Sequence, residues 1–206
     1  MTPQDPHKSD FVSLQTWQNR HDEIAATHPP VDLPRLTLWN YRDKLSSEDM
    51  GHAIGDVWMY VNDGLVSLPN LPEVDGSTVE RLSHDEWVEL FTHAGYVLLE
   101  KPELENDGVT CEIPTMLYRY AEKSSRAGLS WTTSIDEALA YAERFGDSAR
   151  NGCVWSVTGF DPDRILAHFH QKVGEDEYVF DPRGSVIAHA RAGHDCGCEQ
   201  SCSELQ

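Results

Sequence analysis

The clearest apolar periodicity in the chain lies at Met50, Ala53, Ile54, Val57, Trp58 and Val61, spaced i, i+3, i+4, i+7, i+8 and i+11. That spacing puts all six on one face of an amphipathic helix. Ser46 or Ser47 can cap its start, offering a hydroxyl to an unpaired backbone N–H, and Gly64 can end it. After the turn-rich LPNLPEVDGS, Ser83-His84-Asp85-Glu86 has the S-x-x-E form of a capping box ahead of Trp87, Leu90 and Phe91, with Gly95 as the stop. A smaller apolar island, Phe11, Val12, Leu14 and Trp17, reads as one short docked helix. It sits in a lead-in over residues 1–35, rich in Pro, His and Asp, that is expected to be irregular. The first hundred residues are therefore mostly helical.

From about residue 96 the period changes. Tyr96 to Leu99, Thr115 to Tyr120 (TMLYRY), Gly152 to Val157 (GCVWSV), Glu177 to Phe180 and Ser185 to His189 are strand candidates, and KPELENDG is a linker. Ser134-Ile135-Asp136-Glu137 is a second capping box, opening a helix with Ala138, Leu139, Tyr141, Ala142 and Phe145 on its apolar side and Gly146 at its end. Tyr141 and Phe145 read as core. Several strands around few helices make the second half α+β. The expected organisation is a mostly helical accessory region over 1–100, a mixed core over 101–192, and a loose, cysteine-containing tail over 193–206.

Composition narrows the partners. The 206 residues carry 35 acidic and 16 basic side chains, a formal charge of −19, with no block of consecutive carboxylates. A surface this acidic repels phosphate backbones, which disfavours nucleic acid and suits a basic macromolecular partner. No apolar run approaches the roughly 18 residues of a membrane span, and the polar MTPQDPHKSD start has no apolar signal region, so a cytoplasmic location is expected and no membrane partner. Cys111 and Cys153 fall in or near strands while Cys196, Cys198 and Cys202 crowd the end, an odd set that suggests a reducing compartment. His194 with the last three cysteines packs four soft ligands into nine residues, without the separated knuckles of a common zinc site. His168 and His170 flank Phe169 as alternation in an extended segment would place them. No metal is expected at either place.

Three segments carry candidate chemistry. Glu175 and Glu177, at i and i+2 in a strand, project from one face about 6.5–7 Å apart, a repulsive pair that is either solvated or held for chemistry. Asp176 points the other way and should be dispensable. Arg119 lies among apolar neighbours in Leu117-Tyr118-Arg119-Tyr120, where an arginine makes either an ion pair or a ligand contact. Gly128-Leu129-Ser130-Trp131-Thr132-Thr133 lies between them and reads alone as turn and cap chemistry. Arg183, in the Pro-Arg-Gly after the E-x-E strand, is either plain surface or a phosphate contact.

In this order, LYRY, GLSWTTS and EDEYVFDPRGS resemble the three motifs of the mono-ADP-ribosyltransferases of the arginine–serine–glutamate class, over roughly residues 115–190. The residue after the arginine, commonly glycine in that family, is Tyr120 here, and the middle motif is Ser-Trp-Thr where Ser-Thr-Ser is common. The resemblance implies a split β-sheet core and NAD+ as co-substrate. It makes Glu177 the carboxylate that holds the ribose, and Glu175 the group that orients or deprotonates an acceptor, often a protein arginine. It assigns Arg119 to the pyrophosphate and Ser130 to a support beside the ribose, with Tyr120, Trp131 and Thr132 lining the NAD+ site and Gln171 to Gly174 forming an acceptor-facing loop. The chemistry is consistent: cleaving the nicotinamide–ribose bond builds positive charge at the anomeric carbon, which a fixed carboxylate stabilises most in the transition state. Such enzymes are familiar among bacterial toxins and phage-encoded modifiers. Other readings of the same residues are an NAD+ glycohydrolase, a nucleic-acid ADP-ribosyltransferase, and a non-catalytic module of the same fold.

Overall fold

A computed structural model describes residues 11–28, 32–61, 82–100, 113–145, 152–172 and 175–190. The chain divides into two compact units, Met1–Val97 and Leu98–Gln206. Gly64, Gly146, the 68–77 turn stretch, the 101–108 linker and the cysteine tail lie outside the described residues.

The first unit is helical. Helix α1 (Leu14–Ala25) is longer than the island at Leu14 and Trp17 suggests, and its 12 residues replace part of the irregular lead-in expected there. Its sequence, LQTWQNRHDEIA, is polar on nearly every side, and Trp17 is its buried anchor. The indole Nε1 donates to the Thr37 carbonyl at 2.9 Å, in a π-helical turn (Pro34–Leu38) followed by a short 3-10 turn (Trp39–Tyr41). Helix α2 (Ser47–Val61) follows the apolar face seen in the sequence; Ser46 caps it, its Oγ accepting from Asp49 N at 3.1 Å. Helix α3 (His84–Ala94) starts from a complete capping box at Ser83 and Glu86, and stops at Gly95, whose φ of 78° favours glycine. Glu86 also accepts two 3.0 Å hydrogen bonds from Arg35 Nη2. Trp58 on α2 meets Trp87 and Phe91 of α3 edge-on, with ring centroids 5.0 and 5.3 Å apart.

The second unit is mixed, so the chain is α+β. A four-stranded sheet has the order β1-β5-β6-β3, built from Val97–Glu100, Ile165–Lys172, Glu175–Phe180 and Ser130–Trp131. A three-stranded sheet has the order β2-β4-β7, built from Met116–Ala121, Cys153–Thr158 and Ile187–His189. Helix α4 (Ile135–Phe145) packs on β2 and β4.

Strand β3 joins the two sheets. Ser130 and Trp131 pair with Val179 and Tyr178 of β6, and the next residue, Thr132, exchanges 2.7 and 2.8 Å backbone hydrogen bonds with Tyr118 of β2. Between the sheets lies a core of Leu117, Trp131, Val157, Ile165, Tyr178 and Phe180. Asp161 and Pro162–Arg164 lead into β5, which runs on to Lys172, so Gln171 and Lys172 are strand and not the expected loop; residues 173 and 174 lie outside the described set. A register shift between Ile165 and Ala167 lets Ile165 and His168 face the same side, opposite Phe180 and Tyr178. Cys153 is buried on β4 and disulfide-bonded, so the free thiols expected of a reducing compartment do not extend to it.

Candidate active site on strands β2, β3 and β6

Arg119 alternates with Leu117 and Ala121 on the buried face of β2 and is 7% exposed. Its guanidinium forks over the β2–β3 connection: Nη1 donates to the Ser130 carbonyl at 2.7 Å, and Nε to the Ser125 carbonyl at 3.3 Å. A charged donor in a dry position binds carbonyls strongly, and here ties the middle of the connection, at Ser125, to the start of β3. Arg119 is the residue expected at the pyrophosphate. Its observed contacts make it a brace that holds β3 against β2.

Ser130 shares its face of the sheet with its partner Val179 and, two residues back along β6, with Glu177. Trp131 points the opposite way. It is 2% exposed, stands edge-on to Phe180 with centroids 5.8 Å apart, and donates Nε1 to the Gly128 carbonyl at 2.7 Å. Those contacts make it a core residue, away from the face it was expected to line. Thr132 carries a second junction: its hydroxyl donates to the Glu137 carboxylate and accepts from Ser134 N at 3.1 Å. Ser134 Oγ in turn accepts from Glu137 N at 3.3 Å. The Ser134–Glu137 cap is thus built around Thr132, which ties α4 to the end of β3.

Tyr120 falls on the face of β2 opposite Arg119 and is half-buried against Gly152. Burial pushes its hydroxyl above the usual 10, and a hydrogen bond from the Gly152 backbone pulls part of that back. A methyl at Gly152 would sit 2.4 Å from Tyr120 Cε1, so glycine is what admits the ring.

Strand β6 begins at Glu175, earlier than the Glu177 start expected. Glu177 is half-buried and paired with Phe169 on β5. The backbone of Glu175 pairs with Lys172, and its side chain lies outside the described residues. Asp176, expected to be idle on the other face, is not: it is hydrogen-bonded to His168 Nε2, accepts from Thr133 Oγ1 at 3.0 Å, and lies 3.6 Å from His170 Nδ1. Burial alone would raise its pKa, but the His168 hydrogen bond and charge, with Thr133 and His170, hold it below the usual carboxylate value.

The turn after β6 is locked. Asp181 is 5% exposed, and its carboxylate accepts from Arg183 Nε at 2.8 Å and Arg164 Nη1 at 3.0 Å. Arg183 therefore holds the Pro-Arg-Gly turn in place. A wide, shallow depression on the β2–β3 connection is lined by Glu122, Lys123, Ser124 and Arg126. Lys123 and Arg126 are not among the residues expected in the site, although two basic residues in one four-residue turn stand out in a chain with 16 of them. Arg126 is steadied by donating to the Lys123 carbonyl at 2.6 Å.

No family model, curated protein or solved structure matches the chain.

Proposed function

We propose that the second unit is the catalytic core of an NAD+-dependent mono-ADP-ribosyltransferase, with arginine of a target protein as the acceptor. One observation carries the reading. Arg119, Ser130 and Glu177, distant in sequence, lie on three consecutively joined strands, with Arg119 bonded to the Ser130 backbone and Ser130 on the same face as Glu177.

In this reading the nicotinamide–ribose bond breaks and nicotinamide leaves with the bonding electron pair. Glu177 holds the ribose 2′-hydroxyl and stabilises the charge that develops at the anomeric carbon. The acceptor guanidinium nitrogen attacks that carbon from the opposite side, and its proton passes to Glu175. Arg119 acts as a positioning residue that sets β3 beside β2. The pyrophosphate takes Lys123 and Arg126 as its cations, at the open surface depression that they line. The −19 charge favours a basic target.

The test is mass spectrometry of a lysate incubated with the protein and a tagged NAD+, with Glu177→Gln as control. Labelled arginine in wild type alone supports the transferase; no labelled species sinks it. Fast release of free ADP-ribose from NAD+ without any acceptor would instead identify a glycohydrolase. In the same assay Lys123→Glu and Arg126→Glu should raise the KM for NAD+ at least tenfold, and an unchanged KM would remove them from the phosphate site.

A further inference from the structure

On the face of β5 and β6 opposite Glu177, three side chains converge. Asp176 lies directly across from His170, and His168 lies across from Tyr178, two pairs further along. The ligand atoms of His168, His170 and Asp176 all fall within 4.8 Å of one another. His168 is fully buried and stacked on Tyr178, with centroids 4.2 Å apart and planes 10° from parallel, so its ring is fixed. Thr133 fixes the second carboxylate oxygen.

The hydrogen bonds within the cluster leave part of it unsatisfied. The Nδ1 atoms of both His168 and His170 are buried without a hydrogen-bond partner. His168 meets Asp176 through Nε2, whereas His170 Nδ1, 3.6 Å from the same carboxylate, makes no hydrogen bond, so the three donors converge without satisfying one another. Two imidazoles and a carboxylate are, however, a common donor set for zinc and its neighbours. Magnesium and calcium prefer all-oxygen shells, which this site lacks. His170 and Asp176 retain 15% and 22% side-chain exposure, which gives an ion a way in.

We infer that His168, His170 and Asp176 form a binding site for a divalent transition metal ion of the zinc type, clamping β5 to β6 behind the glutamate pair. The inference stands independently of the NAD+ reading. It also gives Asp176 a task. His-x-His on one strand is easily read as plain alternation; only pairing with β6 brings the carboxylate between the rings.

The test uses full-length protein stripped with chelator, titrated with Zn2+ by calorimetry and with Co2+ by visible absorption. Wild type should bind one more Zn2+ per chain than His170→Gln or Asp176→Asn, or bind it at least tenfold more tightly, and should melt several degrees higher with the metal. Circular dichroism and melting in chelator establish that the variants fold. Zinc binding by both variants with wild-type stoichiometry and affinity would overturn the inference. The Co2+ spectrum of wild type needs no variant: this site contributes d–d bands of a nitrogen–oxygen shell without a thiolate charge-transfer band. No cobalt binding, or only the thiolate-ligated spectrum of a cysteine site, would overturn it equally.

Discussion

Arg119 gives the sharpest test of how the site is held together. As a brace it makes charge-assisted hydrogen bonds to the carbonyls of Ser130 (2.7 Å) and Ser125 (3.3 Å) from a position 7% exposed. Each such bond contributes about 1.5–3 kcal/mol. Arg119→Ala should therefore cost about 3 kcal/mol or more, a large part of the 5–15 kcal/mol that holds a typical domain folded. Arg119→Lys keeps the charge, but an ammonium cannot fork over two carbonyls, so one bond and about 1.5 kcal/mol should be lost. At roughly 4–8 °C per kcal/mol for a unit of about a hundred residues, Arg119→Lys should lower the melting temperature by about 6 °C or more. The assay is thermal and urea unfolding without NAD+, followed by NAD+ affinity of whatever variant remains folded. A pyrophosphate ligand behaves in the opposite way, leaving apo stability unchanged while raising the KM. An Arg119→Ala protein that melts at the wild-type temperature without NAD+ would refute the brace.

Two further outcomes follow from local geometry. Gly152→Ala places a methyl 2.4 and 2.6 Å from the Tyr120 ring, so the ring must shift; a loss of about 1–3 kcal/mol is expected by urea unfolding, and a neutral result would mean the ring moves freely. Glu86 has a folded pKa below its ordinary 4.5, since burial, which would raise it, is outweighed by the Ser83 and Arg35 hydrogen bonds and the Arg35 charge. A depressed carboxylate adds stability that is fully present above the unfolded pKa and is lost as pH falls through the folded one. The stability gap between wild type and Glu86→Gln should thus hold from pH 7 to about 5 and shrink below about 4.5; a gap independent of pH would mean the capping charge contributes nothing.

Helices α2 and α3 were legible because their signals are local: a periodic apolar face, and a serine three residues before an acid. Helix α1 was legible only at its start, the short helix read at Leu14 and Trp17; its extent was not, because its one buried anchor, Trp17, is held by the carbonyl of Thr37, twenty residues on. Strand β5 was not among the strand candidates, only an extended segment at His168 and His170, because HFHQK is polar and becomes strand by pairing with β6. Within the site, the sequence order of Arg119, Ser130 and Glu177 was visible, whereas their contacts were not. Trp131 and Trp155 have similar aromatic character in sequence, and only the packing shows Trp131 against Phe180 in the inter-sheet core. The roles of Asp176 and Asp181 depend on partners eight and seventeen residues away in sequence, His168 and Arg164, so no local pattern could announce them.

The most direct measurement of the central claim is the rate of nicotinamide release from NAD+ by wild type and Glu177→Gln, with a small guanidine compound in excess as acceptor. If Glu177 stabilises the charge developing on the ribose, wild type releases nicotinamide as the guanidine is consumed. The variant, folded to the same melting temperature, should be slower by on the order of 10²–10³-fold, the loss typical of removing one such electrostatic contact. Equal rates in the two proteins, or no release by wild type, would contradict the account.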